Sequence, residues 1–208
     1  MKFLTPLLVL GFAAAQTPDE EAIRIRSVRY AGSGCPQDSV SVSVSSDMEF
    51  ITLGFDKFTP FIGPGNVLSD RIKACRVELV FEPSENSRFA VTASTYHGHV
   101  RLDAGVRKTF SSTFFFSQVD GPITTTQVVI EGGGAWAQGQ VFTGTEQVAP
   151  EDYIQSPCSY PGSPIYMEVI DRVILQSTNS SISAVIPDDE DVPFTQQIRL
   201  VYVYSLCP

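Results

Sequence analysis

Apolar and polar residues alternate with a period of two in run after run of this chain. The clearest run sets Val40, Val42 and Val44 against Ser39, Ser41, Ser43 and Ser45, as expected of a strand with one face in a core and the other in water. Ile51, Leu53 and Phe55 repeat the spacing after a Ser46-Asp47 turn, so the two runs predict a hairpin. Cys75, Val77, Leu79 and Phe81 share a face, and so do Phe89, Val91, Ala93 and Thr95 beyond a break at 83–86; these two runs predict the next hairpin. Residues 101–116, 123–131, 165–176, 181–186 and 196–206 complete a set of about ten strands. Helical periodicity is nearly absent. The expected fold is all-β, an antiparallel two-sheet β-sandwich of jelly-roll-like form.

Turn residues punctuate the pattern. Glycines 132, 133, 134, 139 and 144 surround Trp136 and predict a loop or a bulged strand. Residues 144–164 hold Pro150, Pro157, Pro161 and Pro164, too irregular for sheet, although Pro150-Glu151-Asp152 can open a single helical turn. Neither a repeat nor a low-complexity linker divides the chain. The expected layout is a leader at 1–15, a partly flexible N-terminal segment at 16–31 and a single sandwich domain at 32–208.

The leader is a secretory signal peptide by pattern: Met1-Lys2, an apolar run to Phe12, then Ala13-Ala14-Ala15. The run is too short to cross a bilayer as a helix, and nothing later approaches that length. The protein is expected to be secreted and extracellular, without membrane insertion, as a monomer. Lys and Arg number 14 against 23 Asp and Glu, a formal charge of −9, so the basic footprint that nucleic acid requires is missing. In an exported chain the even set Cys35, Cys75, Cys158 and Cys207, with no Cys-x-x-Cys pair, predicts two structural disulfides. Three connectivities are open; Cys35 with Cys75 and Cys158 with Cys207 is the expected one, each pair joining an irregular Pro-flanked segment to a strand-like one. Asn179-Ser180-Ser181 is the N-glycosylation sequon.

Few residues carry candidate chemistry. His97 and His99 alternate on one strand face and, with Asp103 or Glu168, offer the start of a metal site. Four acids at 188–191 could hold calcium, but consecutive carboxylates cannot all face one ion, and a solvated hairpin tip explains them equally. Trp136, followed by Tyr153, Tyr160 and Tyr166, supplies rings on which a sugar could stack. Serine-hydrolase, zinc-protease and aspartic-protease motifs are all missing. No catalytic residue and no cofactor is therefore named.

Several stretches resemble a known family. Gly34-Cys35-Pro36 before the Ser/Val alternation, Gly63-Pro64-Gly65, Cys75 at a strand start, Gly98 with Leu102-Asp103-Ala104-Gly105-Val106, Ser111-Ser112-Thr113-Phe114-Phe115-Phe116, Ser156-Pro157-Cys158 and the terminal Cys207 are similar to the secreted, mostly fungal domain of unknown function 4360 family. The resemblance runs from Gly32 to Cys207 and implies one secreted β-rich domain with structural cysteines. It brings no activity. The expected function is non-enzymatic binding of cell-wall glycan or an extracellular protein; the alternative is a metal-binding protein or metal-assisted enzyme built on His97 and His99.

Overall fold

A computed structural model describes residues 23–63, 65–83, 88–158, 160, 162–177, 184–185 and 193–203. In chain order its strands are β1 (Ile23–Ala31), β2 (Val40–Val44), β3 (Phe50–Phe55), β4 (Phe61–Ile62), β5 (Ile72–Pro83), β6 (Arg88–Leu102), β7 (Val106–Phe116), β8 (Thr124–Glu131), β9 (Gln140–Gln147), β10 (Ile165–Ser177), β11 (Ala184–Val185) and β12 (Phe194–Val203). One sheet runs β1-β5-β10-β7-β8. The other runs β2-β3-β12-β6, with β9 on the remaining edge of β6 and the short β4-β11 pair joined to its end. Every pairing is antiparallel. The expected two-sheet antiparallel sandwich is thus the observed fold.

Alternation dictates the core. Phe110, Ser112, Phe114 and Phe116 point inward from β7, and Val169, Asp171, Val173 and Leu175 from β10. From the opposite sheet Ile51, Leu53, Phe55, Phe194 and Ile198 meet them. Phe110 lies at the centre of a ring stack, 4.7 Å from Phe194 and 5.2 Å from Phe142 between centroids. Such contacts add to what the buried area alone contributes.

The β2/β3 hairpin forms with Val42 opposite Leu53. The second expected hairpin does not. β5 pairs with β1 and β10, whereas β6 pairs with β12 and β9, so the chain crosses between sheets after Pro83. The apolar faces of β5 and β6 look at each other across the interior, with Phe81 edge-on to Phe89 at 5.0 Å. Period-two alternation says which face is buried, and it is the same whether two strands pair or face each other. The chain before residue 32 also differs from expectation. β1 lies along β5, and its alternation is interrupted by a register shift between Ile25 and Ser27. A bulge of this kind hides a strand from a pattern search.

One disulfide is seen among the described residues, Cys35–Cys75, with Cα atoms 5.5 Å apart and both residues buried. It ties the loop after β1 to the first part of β5. Only this bridge, not two, is found there: Cys158 is not a free thiol, and its expected partner Cys207 lies outside the described residues, as do the leader, Asn179 and the acids at 188–191.

Candidate functional site

β8 ends one sheet and β9 ends the other, so the sandwich is open along these two strands. Gly144 lets them approach: a Cβ there would stand 2.6 Å from a Val128 methyl. Beyond Glu146 the chain bends away. The Val148 amide donates to the Thr92 carbonyl at 2.9 Å, and Pro150–Asp152 makes the expected short 3-10 turn. The Thr124 hydroxyl donates to the Asp152 carbonyl at 2.5 Å, tying that turn to the start of β8. Between the diverging segments lies a cleft of about 370 Å³, in the size range of small-ligand sites.

Tyr153 and Ile123 give the cleft its apolar surface, and Gln147 and Thr125 bring an amide and a hydroxyl. Glu146, Glu151 and Asp152 line it as well, with no Lys, Arg or His among the lining residues. Tyr153 is half-buried and Ile123 is 64% exposed. The electrostatics therefore favour a neutral or cationic ligand and repel an anion. A second, shallower depression on the outer face of β1, β5 and β10 holds Arg29, Arg76, Glu78 and Glu168. Its charges are already matched: Arg76 donates twice to the buried Glu168 carboxylate at 2.9 Å, and Arg29 donates to Glu78 at 3.4 Å. Those pairs leave it little to offer a ligand.

The other candidates scatter. His97 and His99 point outward from β6, and the Thr143 hydroxyl lies 2.8 Å from His97 Nδ1. Asp103 sits in the turn that reverses β6 into β7, where the Val106 amide donates to its carbonyl at 3.1 Å and Gly105 adopts φ +86°. Glu168 belongs to the other sheet. Among the described residues no three His, Cys, Asp or Glu side chains converge on a point that could hold a metal ion, so His97, His99 and Asp103 do not form such a group there. Trp136 stands in a 3-10 turn, Gly134–Gln138, half-buried and packed on the core. It does not line the cleft. Tyr160 is exposed and Tyr166 half-buried, both apart from Tyr153's cleft. Of the expected stacking residues, Tyr153 lines this cleft and Trp136, Tyr160 and Tyr166 do not. Ile123, Glu146 and Gln147 were not foreseeable, because no periodicity marks an edge where two sheets diverge.

The interior holds ionisable groups that alternation cannot reveal. Asp171 Oδ1 accepts from the Ser112 hydroxyl, which also accepts from Tyr96 at 2.8 Å and from the Gln196 amide at 2.7 Å. Burial raises the Asp171 carboxyl to about 7, since ionising it away from water is costly. Lys108 is fully buried, its Nζ 3.5 and 3.4 Å from the ring centroids of Phe110 and Phe142 and without a hydrogen-bond partner among the described residues. Neither group reaches the surface. Both belong to the packing of the core.

Among the described residues the chain is an antiparallel β-sandwich with an acidic cleft where the β8 and β9 edges part. The chain belongs to the family described as Domain of unknown function (DUF4360), whose model matches residues 21–204. It is 26% identical over 184 residues to an uncharacterized secreted protein of Arthroderma benhamiae, covering 88% of this chain and 72% of that one. Among solved structures it is similar to TmCBM61 in complex with beta-1,4-galactotriose, with a TM-score of 0.25 and 10% identity over 87% of this chain and 90% of that one. It is also similar to the enzymatically active domain of bacteriophage CBA120 tailspike protein 4, with a TM-score of 0.24 and 13% identity over 86% of this chain and 19% of that one. At such scores neither structure bears on what this chain binds. No helix among the described residues is long and apolar enough to cross a membrane.

Proposed function

We propose that this is a secreted, non-enzymatic glycan-binding domain that holds a short stretch of a neutral or amino-sugar glycan in the β8/β9 cleft. One observation carries the reading: the half-buried Tyr153 shares a concave site with Ile123, Gln147, Thr125 and three carboxylates, and with no basic residue. A sugar needs an apolar surface for its ring and amide or carboxylate groups for its hydroxyls. The carboxylates disfavour acidic polysaccharides. In the same reading residues 1–15 are removed on export, Cys158 pairs with Cys207, Asn179 carries a glycan, and the ligand is a polymer of the cell wall.

The test is calorimetric titration of purified protein with neutral, amino-sugar and uronic-acid oligosaccharides. Binding of the first two classes, lost in Tyr153→Ala and kept in Trp136→Ala, is expected. Binding that survives Tyr153→Ala, or a preference for uronic acids, would overturn the cleft as the site.

A further inference from the structure

Arg88 opens β6 with its guanidinium laid against the segment that leaves the cleft. Nη1 donates to Gln155 Oε1 and Nη2 to Cys158 Sγ, each at 3.1 Å. Its Nε is buried and has no acceptor among the described residues. Arg24, Arg29, Arg76, Arg107 and Arg199 each face a glutamate, whereas among the described residues no carboxylate pairs with Arg88. A half-buried cation is thus matched there by a neutral amide and a sulfur alone.

That sulfur is already oxidised. Cys158 is disulfide-bonded, to Cys207 in the reading above, and it is half-buried, whereas Cys35 and Cys75 are 2% and 0% exposed inside the core. A bridged sulfur is a weak acceptor for a guanidinium, but a thiolate is a full counter-charge. Breaking the bridge therefore gives Arg88 the anion it lacks, and a cation at the leaving sulfur speeds the break.

We infer that the Cys158 bridge is a redox-sensitive latch on the wall of the cleft, opened by a small dithiol with Cys158 leaving as a thiolate against Arg88. One dithiol sulfur attacks the sulfur bonded to Cys158, the S–S bond breaks, and its electron pair leaves on Cys158 Sγ. The second dithiol sulfur then displaces the partner thiol, so the dithiol ends as its cyclic disulfide and the bridge has taken two electrons. One proton goes to the partner thiol and the other to solvent. The latch sits where it can act on the cleft. Val148, Ala149, Glu151, Asp152 and Tyr153 form one wall. Beyond them the chain is fastened to β6 by the Ala90–Gln155 bridge, by the Ser156 amide donating to the Phe89 carbonyl at 2.8 Å and by the Phe89 amide donating to Ser156 Oγ at 3.0 Å. Arg88 and the Cys158 bridge close that series at its far end. The effect on a ligand rests on the cleft reading above; the reduction itself does not.

The test is partial reduction of the purified, oxidised protein by dithiothreitol without denaturant, quenched with iodoacetamide and read by peptide mass mapping. Cys158 should be labelled about tenfold faster than Cys35 and Cys75, and Arg88→Gln should slow its release by about the same factor. Arg88→Lys, which keeps a cation, should slow it less. A variant that merely loosened the fold would speed the opening of both bridges, so the sign separates charge from packing. After opening, hydrogen exchange should rise over residues 148–158 and stay unchanged on β10, and oligosaccharide affinity should fall. Release of Cys158 together with or after Cys35 and Cys75, an Arg88→Gln rate equal to or above that of the wild type, or unchanged exchange over 148–158 overturns the inference. Early release of Cys158 with raised exchange, but no oligosaccharide bound in either redox state, would support the latch and sink the cleft reading instead.

Discussion

Ser112 on β7 donates its hydroxyl proton to the carboxylate of Asp171, its register partner on β10, inside the sandwich. Among the described residues Asp171 Oδ2 has no donor, and neither has Gln196 Oε1, although the Gln196 amide bonds Ser112 and Ser94. A proton on Asp171 therefore lowers the cost of the cluster. The folded carboxyl holds that proton up to about 7, against 3.8 as its ordinary value. Between those values the native state binds more protons than the unfolded chain, so stability falls as pH rises through this window. The loss from this group has a ceiling of about 4 kcal/mol. Asp171→Asn keeps an acceptor for Ser112 and cannot ionise. Urea unfolding at pH 5 and pH 8 should show the variant gaining on the wild type at the higher pH, and equal differences at the two would contradict this account.

Lys108 has the opposite sign. Its ammonium would touch two ring faces, an attraction of about 2 kcal/mol or more each when dry, yet taking an unpaired ammonium out of water costs more than that. Burial thus pushes the Lys108 amine well below its ordinary value. The unfolded chain binds a proton that the native state refuses, so this group makes stability rise with pH up to the ordinary lysine range. Lys108→Met keeps the length of the side chain without the charge. It should stabilise by about 1–3 kcal/mol near neutral pH, and by less at pH 9 than at pH 6, measured by denaturant midpoints.

Much of the fold was legible in the pattern, and the misses share a cause. Val40 to Val44 and Ile51 to Phe55 reveal their hairpin because each alternates cleanly and the turn between them is short. β9 was half-hidden by Gly139 and Gly144, which read as a loop or a bulged strand; Gly144 is there because Val128 of β8 crowds it. Asp103-Ala104-Gly105 was readable as a turn from its chemistry alone. Which sheet a strand joins was not readable, since Phe81 and Phe89 show the same buried face whether paired or opposed. The cleft was visible only at Tyr153 and the Pro150 turn, because the rest of it depends on where two edges part. Buried Lys108 and Asp171 sit at positions where alternation expects apolar residues, and their partners are distant in sequence.

The Cys35–Cys75 bridge closes a separation of 40 residues. By the chain-entropy argument such a loop contributes about 4 kcal/mol, mainly by restricting the unfolded chain. A Cys35→Ser, Cys75→Ser double variant should therefore unfold at markedly lower denaturant. Its oligosaccharide affinity should persist wherever it remains folded, because neither cysteine lines the cleft. Reduction of the wild type by dithiothreitol should reproduce the shift in part. An unchanged midpoint in the double variant would show that the bridge adds nothing.

Trp136 separates a packing role from a binding one. Its turn is held by the Trp136 amide donating to the Gly133 carbonyl and by the Gly139 amide donating to the Trp136 carbonyl, each at 3.2 Å. The ring is half-buried against the core. Truncating a fully buried Trp costs about 3–5 kcal/mol, and half that burial scales the cost to about 2 kcal/mol. Trp136→Ala should lower the denaturant midpoint accordingly while leaving glycan titrations unchanged, whereas Tyr153→Ala, at the mouth of the cleft, should do the reverse. Tryptophan fluorescence gives an independent check, since Trp136 is the single tryptophan of the chain. Its emission should move to longer wavelength on unfolding and stay fixed when a saturating oligosaccharide is added; a ligand-induced shift would place the sugar at Trp136 instead.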